Sequence, residues 1–130
     1  MSDFQNALSI AASGMEAQAM RLRHVSENIA NADTPGYHRK TTAFEAIVTE
    51  GTASGAVRLG DVKLDQRELT RILDPGHPLA NEAGYYDGSN VDLVIEIADA
   101  REAQRSYEAN LRMFDQVRQM SQGLLDLLRR

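Results

Sequence analysis

Apolar side chains recur every seven residues along the first part of the chain, in two series that run parallel to each other. The first series contains Leu8, Met15, Leu22 and Ile29, and the second, three positions further along the repeat, contains Phe4, Ala11 and Val25. Gln18 interrupts the second series. Apolar residues at the a and d positions of a heptad indicate a helix that buries one seam against another helix. The pattern therefore predicts an amphipathic helix over residues 1–33.

Gly14 lies in the middle of this predicted helix. A glycine there weakens the helix by roughly 1 kcal/mol relative to alanine. It also lets a neighbouring element approach closely, since glycine has no Cβ. The sequence favours neither interpretation.

A cluster of turn-forming residues ends the first helix abruptly. Pro35 disfavours a helical conformation at Thr34, and Gly36 permits the turn that follows. Side-chain amides just before the proline can bond backbone groups that the helix end leaves free. The residues of this motif are Asn28, Asn31, Thr34, Pro35, Gly36 and Tyr37. They predict a turn over residues 34–40, with Tyr37 as a candidate packing anchor.

The middle of the chain, residues 41–89, has a different pattern. Val57 and Leu59 alternate with polar neighbours, as do Val62 and Leu64, and the intervening Gly60-Asp61 pair predicts a hairpin turn or bulge. A third extended run is predicted over residues 68–73. Further turns follow at Asp74, Pro75, Gly76, His77 and Pro78, and again at residues 81–84. We interpret this segment as a small insert rich in β-strands and loops.

Residues 90–130 form the second predicted helix, with Ser89 or Asn90 as its N-cap. Its apolar stripe consists of Tyr107, Phe114, Val117, Leu124 and Leu128. Roughly 39 residues at 1.5 Å each give a rod of about 58 Å, longer than the first helix can cover. The predicted fold class is therefore mainly α, with two long terminal helices packed as an antiparallel coiled coil around the insert.

The uncovered stripes predict contacts with other chains. A membrane-surface helix would carry a surplus of Lys and Arg on its polar face. The second predicted helix, residues 90–130, has six Arg against seven acidic residues. An intramolecular two-helix core and an inter-subunit coiled coil remain as compatible interpretations. The predicted assembly seam comprises Leu8, Met15, Leu22, Val25, Ile29, Tyr107, Phe114, Val117, Leu124 and Leu128.

Composition narrows the function classes. A net charge of −5 opposes nucleic-acid binding, which needs a basic face. The chain has no cysteine, and its three histidines are too scattered to indicate a metal site. We interpret Asp92, Glu96 and Asp99 as solvated or helix-start charges, not as paired catalytic carboxylates. The sequence shows neither an apolar run long enough to span a bilayer nor a secretory signal pattern. We expect no cofactor and no enzymatic activity.

The stretch from Asn28 to Lys40 resembles the N-terminal motif of flagellar axial proteins, the family of rod, hook and hook-associated subunits. In that family Asn-(Leu/Ile)-Ala-Asn, two residues and Thr-Pro-Gly-Tyr close the first long helix. Residues 74–78, and the segment from Asn90-Val91-Asp92 to Asn110, are similar to the corresponding parts of a proximal-rod member. The resemblance covers almost the whole chain.

This resemblance implies a structural subunit of the proximal rod, the driveshaft that crosses the periplasm. It implies export through the flagellum's own type III apparatus, without a cleavable signal peptide. The implied partners are copies of the chain, other proximal- and distal-rod proteins, the rod–membrane-ring adaptor and the export apparatus. The alternatives are a cytoplasmic helical adaptor or export chaperone, and another rod subunit of the same family.

Overall fold

A computed structural model describes residues 2–129, so the predicted first and last segments each extend one residue beyond the described part. Two long helices pack against each other, and a small strand-containing region connects them, as expected from the sequence. The elements in chain order are α1 (Ser2–Ala30), β1 (Lys40–Thr41), β2 (Phe44–Thr49), β3 (Thr52–Leu59), β4 (Lys63–Leu64), β5 (Arg71–Leu73), β6 (Tyr85–Asp87) and α2 (Leu93–Leu128).

The contacts between α1 and α2 run in opposite directions along the two helices. Asn28 contacts Glu96, with 3.3 Å between Nδ2 and Oε2. Arg21 forms ion pairs with Asp99 and Glu102 one heptad earlier on α1, and Gly14 lies against the side chain of Asn110. At an equal rise per residue, the start of α1 lies near residue 122, about twelve residues beyond Asn110. The last turns of α2 therefore extend past α1.

The start of α2 corrects the predicted N-cap. The cap is Asp92, whose side chain accepts a hydrogen bond from the Val94 backbone N–H at 3.0 Å. Ser89 instead donates to the Ala32 carbonyl, and Asn90 accepts from the Arg39 backbone N–H at 2.6 Å. Both predicted caps are used in long-range contacts that local sequence does not reveal. The helix has 36 residues and is about 54 Å long.

Strand pairing in the middle region also differs from expectation. β3 pairs with β2, which the alternation pattern missed, and the chain reverses at Glu50-Gly51, both with positive φ. Gly60 therefore makes no hairpin; its N–H donates to the Ala43 carbonyl at 2.8 Å, and β4 pairs with β1. β5, inside the predicted third extended run, pairs with β6. The three sheets have two strands each among residues 2–129.

The β2–β3 hairpin packs on α1. The Val57 backbone N–H donates to Ser13 Oγ at 3.1 Å, and a Cβ placed on Gly55 would lie 3.1 Å from Ile10 Cδ1. Ala17 is 3% exposed and lines the groove between α1 and this hairpin. α1 is thus covered on one side by α2 and on another by the hairpin, and its end also contacts β1.

Candidate functional site: the helix junction and the open apolar faces

Asn28 is the centre of the junction between α1, the turn and α2. Its side chain is 1% exposed, and its Oδ1 accepts from Tyr37 Oη at 2.8 Å and from the Lys40 backbone N–H at 2.9 Å. Its Nδ2 donates to the Lys40 carbonyl at 3.0 Å and to Glu96. A buried amide is tolerated when its donors and acceptors are paired, as here. Asn28 therefore joins the helix end to β1 by two backbone bonds.

Glu96 lies on the α2 side of the same junction and is fully buried. Its Oε1 accepts from Arg39 Nε, and its Oε2 accepts from Asn28. Arg39 also approaches Asp99, which in turn pairs with Arg21. The burial of Glu96 corrects its interpretation as a solvated charge, while Asp99 stays partly exposed and is paired with Arg21. Helical spacing could not reveal that Arg39, a basic residue from the turn, meets Glu96.

The Thr-Pro-Gly-Tyr turn docks on the segment that precedes α2. Gly36 has φ +76°, in the left-handed region that glycine adopts without strain. Its N–H donates to the Gly88 carbonyl at 3.0 Å, while the Asn90 N–H donates to the Tyr37 carbonyl at 3.3 Å. Burial raises the pKa of the Tyr37 phenol. The turn therefore links the two helices close to where both are anchored.

The other motif residues act locally. Asn31 Nδ2 caps the Glu27 carbonyl at 2.8 Å, and Thr34 Oγ1 donates to Asn31 Oδ1 at 3.1 Å. Pro35 is exposed. Of the six motif residues, the structure brings Asn28 and Tyr37 into the junction and leaves Asn31 and Thr34 within the turn.

The Asp74–Pro78 segment belongs to the β5–β6 hairpin. The His77 ring stacks on Tyr86 with centroids 3.8 Å apart, and its Nδ1 accepts from the Leu79 N–H at 3.1 Å. Gly84 has φ +85° and faces Pro75, where a Cβ would approach to 2.9 Å. Packing within this loop therefore accounts for the Pro, Gly and His of the segment.

Most side chains of the predicted seam are only partly buried. On α1, Leu8, Met15 and Leu22 are half-buried, Val25 is buried and Ile29 is 38% exposed. Gly14, Arg21 and Asn28, one position earlier in each heptad than Met15, Leu22 and Ile29, meet residues of α2.

The α2 stripe loses cover toward its end. Tyr107, Phe114 and Val117 are half-buried, but Leu124 is 47% and Leu128 81% exposed. Exposed apolar side chains at successive positions of one helix mark an interaction surface more than singly scattered ones do.

Within residues 2–129 no helix is both long and apolar enough to cross a membrane, and no metal-binding group of His, Asp and Glu occurs. A polar cleft beside the junction, lined by Arg21, Arg39, Lys40 and Asp99 among others, has a volume of about 130 Å³. This cleft is therefore smaller than the usual ligand pocket, which exceeds about 300 Å³.

Two family models match the chain, and they match the regions that meet at the junction. The model described as "Flagella basal body rod protein" matches residues 8–38, and the model described as "Flagellar basal body rod FlgEFG protein C-terminal" matches residues 82–127. Both descriptions define a class of proteins, the structural subunits of the flagellar basal body.

Similar proteins share nearly the full length. A flagellar basal-body rod protein FlgC of Agrobacterium fabrum is 41% identical over 99% of this chain and 98% of its own length. The FlgC proteins of Aquifex aeolicus and Salmonella typhimurium are 38% and 34% identical, over 88% and 94% of this chain and 89% and 96% of their own. The chain belongs to the family of the flagellar basal-body rod protein FlgC. It is a structural rod subunit, not an enzyme.

Proposed function

We propose that this rod subunit polymerises through its two terminal helices as part of the proximal rod, the driveshaft that crosses the periplasm. The observation that carries the proposal is the half-open apolar surface on both helices. Leu8, Met15 and Leu22 repeat along α1, and Leu124 and Leu128 extend beyond its start. Each Leu or Met side chain that a neighbouring subunit fully buries contributes roughly 1.5–3 kcal/mol.

The helix pair is, in this proposal, an antiparallel coiled coil. Support comes from the three contacts at heptad spacing on α1 and from their reversed order on α2. A coiled coil presents a stiff rod with two grooves, and heterologous contacts between such rods build an open filament. Stiffness along the axis is what torque transmission requires.

The partners are copies of the chain, other proximal- and distal-rod proteins, the rod–membrane-ring adaptor and the type III export apparatus. Family membership supports these partners as a class, since a rod subunit must contact other basal-body components. We propose that the flagellum's own apparatus exports the chain without a cleavable signal peptide, and that the chain then works in the periplasmic space.

The seam is tested by complementation of a strain that lacks this gene. Leu22→Asp and Phe114→Asp each place a charge where a neighbour packs, and burying an unpaired charge is costly. We expect both variants to be made and exported but to leave no rod in purified basal bodies and no swimming. Gln122→Asp, an exposed change on the same helix as Phe114, is the matched control and should swim normally.

Normal swimming of the two seam variants would reject the proposed seam. The rod assignment itself is checked separately, by mass spectrometry of detergent-purified basal bodies. We expect the chain there in a fixed ratio to other axial subunits. Its absence from basal bodies, together with abundance in the cytosol, would overturn the proposal.

A further inference from the structure

Three contacts between α1 and α2 recur at heptad spacing on α1, and each involves a polar side chain. Gly14, Arg21 and Asn28 lie seven residues apart and meet Asn110, the Asp99/Glu102 pair and Glu96. A Cβ placed on Gly14 would lie 2.8 Å from both Nδ2 and Oδ1 of Asn110. Asn110 is held in this position by its own bond from Nδ2 to the Ser106 carbonyl, at 2.9 Å.

The first apolar series of α1 cannot by itself fix how the two helices align. Sliding α1 by seven residues replaces Met15 with Leu8 or Leu22, and Leu22 with Met15 or Ile29. Swaps among Leu, Met and Ile conserve volume, and hydrophobic packing tolerates them well. Along this series, registers that differ by one heptad therefore have nearly equal apolar packing.

The polar contacts differ sharply between those registers. A slide in one direction puts Arg21 in the space that Gly14 leaves for Asn110. A slide in the other direction brings Ala7, with its Cβ, against Asn110 and removes Arg21 from Asp99 and Glu102. In both cases Asn28 loses Glu96, and a buried carboxylate that loses a partner destabilises the structure strongly.

We propose that the contacts of Gly14 with Asn110, Arg21 with Asp99, and Asn28 with Glu96 select the register of α1 on α2, and that the first apolar series does not. These are positioning residues. They set the height along the helix pair at which the half-open apolar side chains are presented. The inference concerns the folded subunit and does not depend on the rod role.

Cysteine pairs can measure the register, because the chain has no cysteine of its own. Gly14→Cys with Asn110→Cys reports the observed register. Gly14→Cys with Ala103→Cys, or with Val117→Cys, reports the two registers displaced by one heptad. Both displaced pairs also carry Asn110→Ala, which removes the clash with the new side chain, so the gel tests the Arg21 and Asn28 contacts alone. Disulfides need Cβ atoms about 3.5–4.5 Å apart, so each pair oxidises only in its own register.

The three pairs are compared in two backgrounds, with disulfides counted in the monomer band of a non-reducing gel. In the Arg21→Ala, Asn28→Ala background, we expect the disulfide yield of the native pair to fall several-fold and a disulfide of one displaced pair to appear. In the matched control, Leu22→Ala with Ile29→Ala, we expect the native pair alone. The native pair alone in the first background, in a chain that remains helical, would overturn the proposal, as would displaced pairs in the control.

A second measurement leaves the chain free of cysteine and serves if the double variant does not fold. Gly14→Ala should lower the melting temperature, because the new Cβ displaces Asn110. In an Asn110→Ala background the same change should raise it, because alanine is the better helix former and nothing obstructs it. A shift of the same sign in both backgrounds would show that Gly14 and Asn110 do not position each other.

Discussion

The two ends of the helix pair differ in the polar groups that they bury. At the turn end, Asn28 and Glu96 are buried polar residues whose partners all come from this chain. At the other end, Leu124 and Leu128 are apolar and exposed. A buried polar group specifies one arrangement because it needs a particular hydrogen-bond partner, whereas an apolar group needs only to be shielded from water. The subunit therefore defines its own shape at the turn end through buried polar pairing. Apolar surface is open at both ends, since Leu93, Val94, Ile95 and Ile97 at the start of α2 are 45–77% exposed.

The largest difference is expected between Glu96→Ala and Leu128→Ala. Removing the Glu96 carboxylate takes away the acceptor that Arg39 Nε and Asn28 Nδ2 share, and should cost about 3 kcal/mol of unfolding free energy. Removing an exposed leucine should change it by about 0.5 kcal/mol or less. Urea unfolding of the monomer measures both. Equal losses would mean that the two ends contribute alike to the folded subunit.

A comparison of two asparagines tests the turn end alone. Asn28→Ala breaks two bonds to the Lys40 backbone as well as those to Tyr37 and Glu96, and should cost about 2 kcal/mol. Asn31→Ala loses only contacts within its own turn and should cost about half as much. The measurement is the urea midpoint at constant slope. A larger loss for Asn31 would move the centre of the junction into the turn.

Replacing Gly36 and Gly123, one near each end of the helix pair, should give a smaller difference in stability. A Cβ at Gly36 or at Gly123 would meet no atom within 4 Å. Gly36 has φ +76°, so Gly36→Ala should destabilise by about 1 kcal/mol through backbone strain. Gly123 is helical, so Gly123→Ala should stabilise by up to about 1 kcal/mol. Opposite shifts of the melting temperature are expected, and a shared sign would contradict the backbone argument.

The smallest effect is expected at the ion pair between Lys40 and Glu27, with 2.6 Å between Nζ and Oε2. The hydrogen bond from Lys40 lowers the pKa of Glu27 below its ordinary 4.5. The native state therefore binds this proton less readily than the unfolded chain, so the stabilisation is present above pH 4.5 and is lost as the pH falls through the lowered value.

Unfolding free energies measured from about pH 6 down to pH 3 test this sign. Glu27→Gln removes the titration and should flatten the curve slightly, while other carboxylates, such as Asp65 beside Arg67, still titrate in both proteins. Parallel curves for the two proteins would show that the pair contributes nothing.

Much of the fold could be predicted from local pattern. The heptad series and the Thr-Pro-Gly-Tyr motif identified α1 and its end, and the apolar stripe identified α2. These features depend on backbone propensity and side-chain periodicity within one segment. The predicted hairpin at Gly60 was wrong because Val57 and Leu59 pair with β2, in whose sequence apolar and polar residues alternate poorly. Which strands pair depends on contacts between segments, and short strands carry little of that information.

The chain's sequence by itself determined its helices, its turn and its membership of a rod-protein family. Only the tertiary structure decided that Gly14, Arg21 and Asn28 of α1 meet polar residues of α2. It also decided that Glu96 is buried and that Asp92 caps α2. The physical reason is that a polar side chain's place depends on the partner it meets, and residues 39 and 96 meet only after folding.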